Sequence, residues 1–591
     1  MKHIAVDFET SWTKDRSIGT HGTFGYLAHP ETKIFMVAIY GEGISYVGEP
    51  EGAPWDEIRG NCVIAHNYTF EQAVFRECER RGIIKEPLNE TGFCTADLSA
   101  YLQVPRNLLG AARELLGVAL DKTTRDKFKG KDFDTLPQEV QLEISNYALM
   151  DAKACYLIWR QYHHLWPDHE RRLSDHTRLM GGRGIGLDIE QVEKGIRHYK
   201  EVLWGLEKLI PWAGQDKIMS PPALKNACRK AGIPAPESTA KDDEQFQVWA
   251  DAYANKVPFV AAVSKYRSVN RSLAVLEAMK VRYNWSRMRY GLKYCGAVPT
   301  FRWAGDSGLN VQNLSRDPVE GFHSRRMLIP GPGKKFVSAD MSQIEPRVSL
   351  YLTKDHKQIE LIRGGMCVYE AHARQTLGYN QSIPLKEAAK KDEAMNELRQ
   401  FCKARVLGLS YGQFAKGFQA YAKTFGIDLT LEQARGQVNQ FKEANPLLAS
   451  FWAQLEQGAR MSKGDTYSIE LPSGRTMKYF DMSVTRGKHG PEYHARPVKG
   501  EHMTYYTYGK FHNNVCQGTA RDVLGEAVLR IENELKLPVV LTVHDEVLVE
   551  VDEADAKDAR QEVARIMAEP PPWLGNIPLS SDCFISDRYE K

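Results

Sequence analysis

Cysteine is scarce and unpaired in pattern: ten residues in 591, with no Cys-x-x-Cys among them. That leaves neither a zinc ribbon nor a disulfide framework to expect, and a reduced, cytoplasmic setting fits best. Long hydrophobic runs are missing too. No apolar stretch reaches the ~18 residues of a membrane span, and "KHIAVDFET" after Met1 has no signal-peptide apolar core. A soluble chain with no membrane partner is therefore expected. There is little excess charge of either sign: the formal net charge is +3. This neither demands nor excludes a polyanionic partner, because Lys and Arg can gather on one face. Internal repeats and low-complexity tracts are also absent. What remains is ordinary globular composition, 42% hydrophobic and 26% charged, in a chain long enough to need several domains.

Strand-like and helix-like segments alternate up to about residue 165, which predicts an α/β domain. "HIAVDFET", "KIFMVAIYG" and "NCVIAHN" read as strands, "TFEQAVFRECERRG" and "NLLGAARELLG" as helices. Residues from about 170 to 290 read as mostly helical and rich in Lys and Arg. Beyond them come short strands, Gly-containing turns and long helices. "RRMLIPGPGKKFVSADMSQIE" predicts a strand, a Pro-Gly turn and a second strand ending in acids, and "SIELPSGRTMKYF" predicts a hairpin.

Three carboxylate patterns stand out. On the strand "IAVDFETS", Asp7 and Glu9 share a face about 7 Å apart. A divalent cation would turn their mutual repulsion into binding, although two solvated acids on an edge strand would read the same way. In "YALMDAKACY", Tyr147 and Asp151 share a helix face at i, i+4. In "LTVHDEVLVE", Asp545 and Glu546 interrupt a run that β-sheets favour. A hairpin tip explains the interruption if another acid meets it. Asp340 at the end of "FVSADMSQIEPR" is the candidate, since two cations about 3.5–4 Å apart can serve a displacement at phosphorus. Magnesium suits carboxylate ligands better than zinc does. On the helix "DEAMNELRQFCKARVLGLSYG", Arg399, Lys403, Leu407 and Tyr411 form one stripe over about 18 Å. That order suits a triphosphate, a sugar and a base. Gly408 and Gly412 near the aromatic end are expected to leave room for the ligand.

With "NYTFE" lying between the first two patterns, residues 1–165 resemble the DEDD-type 3′–5′ proofreading exonuclease domain, whose sheet is RNase H-like. The resemblance implies catalytic and metal-binding roles for Asp7, Glu9, Glu71 and Asp151, and a catalytic role for Tyr147 in positioning and activating a metal-bound water. Asp97 is a secondary candidate. The second motif carries Glu71 where the family has Asp, so the stem is one methylene longer.

Residues 166–591 resemble the polymerase region of family A DNA polymerases, through "SADMSQIEPR", "RQFCKARVLGLSYG" and "VHDE" in that order. The resemblance implies a right-handed α+β domain, with a thumb at about 195–290, a palm at about 291–350 and 500–591, and fingers at about 351–499. It implies metal binding by Asp340 and Asp545 with support from Glu546, and triphosphate binding by Arg399 and Lys403, the latter also protonating pyrophosphate. Tyr411 would stack at the insertion site, Glu345 would exclude a ribose 2′-hydroxyl, and Leu407 and Gln343 would line the nucleotide site. Arg302, Gln312, Asn313, Asn513, Gln517 and His544 would contact DNA. The implied cofactors are two Mg²⁺ per site, with Mn²⁺ able to substitute. The implied partners are primer-template DNA, dNTPs and replisome accessory proteins, with a monomer expected.

Three departures from the family pattern are informative. Phe301 stands where a glycine precedes the arginine, Leu407 replaces an aromatic against the sugar, and Tyr369-Glu370 replace a His and an Arg near the nucleotide. The start of the chain leaves no room for a 5′-nuclease domain, so the layout suggests a phage replicase. Two rival readings compete with it: an exonuclease with a spent polymerase half, and a single-strand binder without catalysis. The former would lack intact Asp340, Asp545, Arg399 and Lys403, and the latter would lack carboxylate clusters.

Overall fold

The computed structural model describes residues 2–120, 130–239, 244–284, 286–487 and 490–590. Its first sheet has five strands in the order Ile44–Gly48, Ile34–Gly41, His3–Thr10, Cys62–Ala65 and Thr91–Cys94. His3–Thr10 runs antiparallel to Ile34–Gly41 and parallel to Cys62–Ala65. Its Ile4, Val6 and Phe8 pack inward, while Asp7 and Glu9 keep partial exposure on the other face. Helix Gln138–Tyr162 lies across that second face, burying Ile144, Ala148 and Ala152 against Met36 and Ala38. That placement brings Tyr147 and Asp151 over the strand carrying the first two acids.

Helix Asp168–Arg183 leads into a helical layer in which Ile189–Glu207 packs along Pro258–Arg282. Asp188 caps the former by accepting the Gln191 amide, and Val192, Ile196, Tyr199, Leu203 and Leu206 form its buried stripe.

A second sheet has four antiparallel strands in the order Val539–Val543, Glu546–Asp552, Lys334–Met341 and Ser581–Ser586. The central strand buries Phe336 through Ala339 on both faces, with helix Ala556–Ala568 packed against it. The strand, turn and second strand expected across Pro330–Gly333 are present, but the two strands do not pair with each other. Leu328–Ile329 pairs instead with Gly186–Leu187, because Lys334–Met341 already has partners on both edges.

A third sheet, Tyr467–Glu470, Thr476–Gly487, Gly490–Arg496 and Thr504–Tyr506, docks on the N-terminal half. The contact is made by Gln103, 1% exposed and at φ +56°. Its side-chain amide donates to the Lys478 and Pro497 carbonyls at 2.8 and 2.9 Å and accepts the Lys478 amide at 2.7 Å. Among the described residues, no helix is long and apolar enough to cross a membrane.

Candidate active sites

The first site is a cavity of about 770 Å³ that Asp7, Glu9, Glu71, Tyr147 and Asp151 all line. Glu71 stands on helix Tyr68–Arg80 and is 3% exposed, and its Oε2 accepts the Phe8 amide at 3.1 Å. The extra methylene relative to aspartate thus reaches the backbone between Asp7 and Glu9. Burial pushes the Glu71 carboxyl well above its ordinary range; the Phe8 amide opposes this and the Glu9 charge adds to it. Tyr147 hydrogen-bonds Asp151, and burial, then Asp151, Glu9 and Asp7, raise its phenol. Carboxylates from three elements therefore line one cavity.

Asp97 also reaches the cavity wall, but its charge is taken up elsewhere. Arg106 pairs with one oxygen, and Ser174 Oγ donates to the other at 2.5 Å with Arg178 nearby. It ties helix Thr95–Tyr101 to helix Asp168–Arg183. Glu501 and Lys293, from the later part of the chain, complete the cavity.

The second site lies where two strands end together. His544 and Asp545 form the tip between Val543 and Glu546, which pair across the hairpin, and His544 takes φ +56°. The Met341 amide donates to the Asp545 carbonyl at 3.0 Å, so Asp340 and Asp545 stand on adjoining backbone. A chain of contacts runs from this tip. Arg302 reaches His544 Nδ1 at 3.0 Å and Glu345 at 3.5 Å, and the Tyr411 hydroxyl donates to Glu345 at 3.3 Å. Arg302, Glu345, Gln517, His544 and Asp545 line a common cavity of about 240 Å³. Burial raises the Glu345 carboxyl against the opposing effects of Arg302 and Tyr411. Burial, then Arg302, lowers the His544 imidazole.

Helix Glu393–Gly408 carries Arg399, Lys403 and Leu407, all half-buried, and is capped by Asp392 accepting the Met395 amide. The expected single helix tightens after Gly408, so Tyr411 sits on a 3₁₀ turn. Arg399 Nε is buried with no hydrogen-bond partner. Burial and the Arg399 charge lower the Lys403 ammonium below the ordinary lysine value. Two adjacent cations with no carboxylate between them fit a polyanionic ligand.

Several of the expected site residues have partners within the chain. Glu546 is not at the hairpin tip: it is a strand residue, 4% exposed, accepting the Tyr589 hydroxyl at 2.9 Å. The Gln343 side chain accepts the Val368 amide at 2.9 Å, holding the start of helix Val368–Thr376. Buried Gln312 donates to the Thr542 carbonyl at 3.0 Å and so supports the strand behind His544. Gln517 donates to Asn513 at 3.2 Å, while Asn313 is exposed. Glu370 turns inward, clamped by Arg374 and the Leu385 amide, and Tyr369 is buried. Gly408 and Gly412 do not leave room for a ligand. A Cβ at the first would meet Gln413 and Tyr421 at 2.7 and 2.8 Å, and at the second Tyr508 at 2.5 Å. Their space belongs to the protein's own packing.

One acid was missed. Asp582 lies directly opposite Asp340 across the sheet and accepts Ser342 Oγ at 2.9 Å. Its signal was available, an acid inside the strand-like run "SSDCFIS".

The sequence profile of DNA polymerase family A matches residues 206–591. The chain belongs to DNA polymerase family A. It is 25% identical to a DNA polymerase of Bacillus phage SP02 over an alignment of 670 positions that covers 100% of both chains. It is 26% identical to DNA polymerase I of Aquifex aeolicus over 347 positions, 56% of this chain and 53% of that protein. With DNA polymerase I of Pseudomonas aeruginosa it shares 25% over 351 positions, 58% of this chain and 35% of that one. The chain thus spans about half or less of the length of these two bacterial relatives. Among solved structures, the polymerase domain of Pol1 from M. smegmatis, complexed with DNA primer-template and dNTP, has the same overall fold. Its TM-score is 0.69 at 18% identity, covering 99% of this chain and 95% of that one.

Among the described residues, no group of three His, Cys, Asp or Glu side chains is arranged to hold a cation alone. Magnesium commonly takes one or two carboxylates and completes its shell with water and substrate phosphate oxygens. The donor chemistry therefore fits magnesium bound together with substrate: Asp340 and Asp545 in one site, Asp7, Glu9, Glu71 and Asp151 in the other.

Proposed function

We propose that this family A chain extends a primer on a DNA template from dNTPs and removes mispaired 3′ ends in its N-terminal half. On this reading residues 1–165 form the exonuclease domain. Residues 166–591 form the thumb, palm and fingers with the boundaries given above, and the chain replicates a phage genome. The observation that carries the reading is the adjacency of Asp340 and Asp545 at the mouth of a cleft joined to Tyr411 through His544, Arg302 and Glu345.

Within the polymerase site, Arg399 and Lys403 bind the triphosphate. The lowered Lys403 ammonium gives up its proton more readily than an ordinary lysine, which suits protonation of the departing pyrophosphate. Glu345, fixed by Arg302 and Tyr411, occupies the floor where a 2′-hydroxyl would have to fit. Arg302 and Gln517 face the minor-groove side of the terminal pair, where hydrogen-bond acceptors are nearly independent of sequence. Within the exonuclease site, Tyr147 and Asp151 position a water, and Asp7, Glu9 and Glu71 face the scissile phosphate. When bound, two magnesium ions would offset the phosphate charge and favour the attacking oxygen at each site.

The test is extension and shortening of a labelled primer on a template, with Mg²⁺ and each dNTP, by wild type, Asp545→Ala and Asp7→Ala. Asp545→Ala is expected to lose extension and keep shortening, and Asp7→Ala to do the reverse. A wild type that only degrades primer under every nucleotide condition would overturn the polymerase reading.

A further inference from the structure

Phe301 is a phenylalanine in a conformation that suits glycine. Its φ is +64°, in the left-handed region that a Cβ disfavours, and it is 0% exposed. It closes the turn before strand Arg302–Asp306 by donating its amide to the Ala297 carbonyl at 2.8 Å. Just beyond it the strand pairing is irregular between Arg302 and Ala304, a defect of the kind that re-aims a side chain. The side chain re-aimed here is Arg302, which spans His544 and Glu345.

A backbone held in a disfavoured region needs its surroundings to hold it, and two groups grip the ring. The Arg475 guanidinium lies 4.3 Å from the ring centroid and is itself anchored by Asp522 at 2.9 Å and by the Gly518 carbonyl at 3.0 Å. The second group comes from the N-terminal half: Tyr101 meets the ring edge-on at 5.8 Å. Tyr101 ends helix Thr95–Tyr101, and two residues later Gln103 bolts that segment to Lys478 and Pro497. A path of packed residues thus leads from the exonuclease half to the arginine of the synthesis site.

We infer that Phe301 is a positioning residue for Arg302, and that Tyr101, from the exonuclease half, holds it there, so that the N-terminal half sets how strictly the terminal base pair is checked during synthesis. The inference rests on the proposed function, because it needs Arg302 to face the primer terminus.

The experiment compares extension from matched and mismatched primer ends, in an Asp7→Ala background so that excision does not mask misextension. The variants are Phe301→Gly, Tyr101→Leu, Arg302→Ala and the two pairs with Arg302→Ala; melting temperature and excision of single-stranded DNA (the latter with Asp7 intact) are followed in parallel. Phe301→Gly removes the ring while making φ +64° easier to hold, so any loss it causes comes from the missing grip. The matched-to-mismatched ratio of kcat/KM is expected to fall about three- to tenfold for Phe301→Gly and for Tyr101→Leu, the size of couplings between contacting residues. Neither is expected to change the ratio further once Arg302 is alanine, and Tyr101→Leu should excise single-stranded DNA at the wild-type rate. Unchanged ratios in folded Phe301→Gly and Tyr101→Leu proteins overturn the inference, as do effects that add fully to Arg302→Ala. If Phe301→Gly does not fold, Tyr101→Leu alone decides by the same criteria. A parent that extends no primer at all refutes the polymerase reading instead.

Discussion

Leu407 sits one helical turn from both Lys403 and Tyr411, with an aliphatic side chain that has nothing to offer a sugar but contact. A phenol in its place could supply a hydrogen bond that a dideoxy sugar has lost, and leucine cannot. Wild type is therefore expected to discriminate against dideoxynucleotides, and Leu407→Tyr to reduce that preference by tenfold or more, about 1.4 kcal/mol. The check is the ratio of incorporation of dideoxy and deoxy substrates; equal use by wild type would refute the expectation. At this scale the sequence was most legible where a residue type is unusual for its setting. Asp7, Glu9 and Asp545 declare themselves because acids interrupt strand-like runs. Gln343, Gln312 and Glu546 did not reveal their roles. An amide or a carboxylate near a motif reads the same whether it faces a ligand or satisfies a buried partner such as the Val368 amide, the Thr542 carbonyl or the Tyr589 hydroxyl.

Helix Tyr508–Asn533 is buried along most of its length and meets helix Asp168–Arg183 at Glu532. That carboxylate accepts His176 at 2.9 Å, Arg183 at 2.9 Å and the Val539 amide at 2.7 Å. Burial alone would raise its pKa; the His176 and Arg183 hydrogen bonds outweigh burial and hold it down at about 2. A folded value below the unfolded value, about 4.5, means that the carboxylate stabilises the fold above that range. The contribution fades as pH falls from about 4.5 towards 2. Glu532→Gln is expected to lower stability by about 1.5–3 kcal/mol at neutral pH. The difference from wild type should shrink on acidification through that window, measured by denaturant titration at each pH. A constant difference would mean that the charge is not what holds the two helices. The elements themselves were largely visible in hydrophobic period and caps. Their ends were not: the change to a 3₁₀ turn after Gly408 reflects packing against Tyr421 and Tyr508, which local sequence does not encode.

Across the whole molecule, the backbone groups that meet Gln103 join the two halves, alongside the Asp97 and Tyr101 contacts. Gln103→Leu would leave the Lys478 amide and the Lys478 and Pro497 carbonyls without their partner, at about 1–3 kcal/mol for each group that stays buried and unsatisfied. Lower thermal stability and faster protease cleavage between the halves are expected. Gln103→Glu should not recover the loss: it keeps the acceptor for the Lys478 amide but turns a buried carboxylate oxygen onto the Lys478 and Pro497 carbonyls. A wild-type melting profile for Gln103→Leu would show that the clamp contributes nothing.

The sequence by itself determined which residues could do chemistry. Acids inside strands, a phenol one helical turn from an acid, and two cations on one helical stripe are local facts, fixed by periods of two and 3.6 residues. The tertiary structure alone decided which of them share a site and which are taken up in holding it. Asp340 and Asp545 are distant in the chain, and so are Tyr101 and Phe301. Each pair is neighbours only because strands pair and helices pack across the chain. Those contacts depend on long-range burial and on buried groups finding partners, and no local period records them.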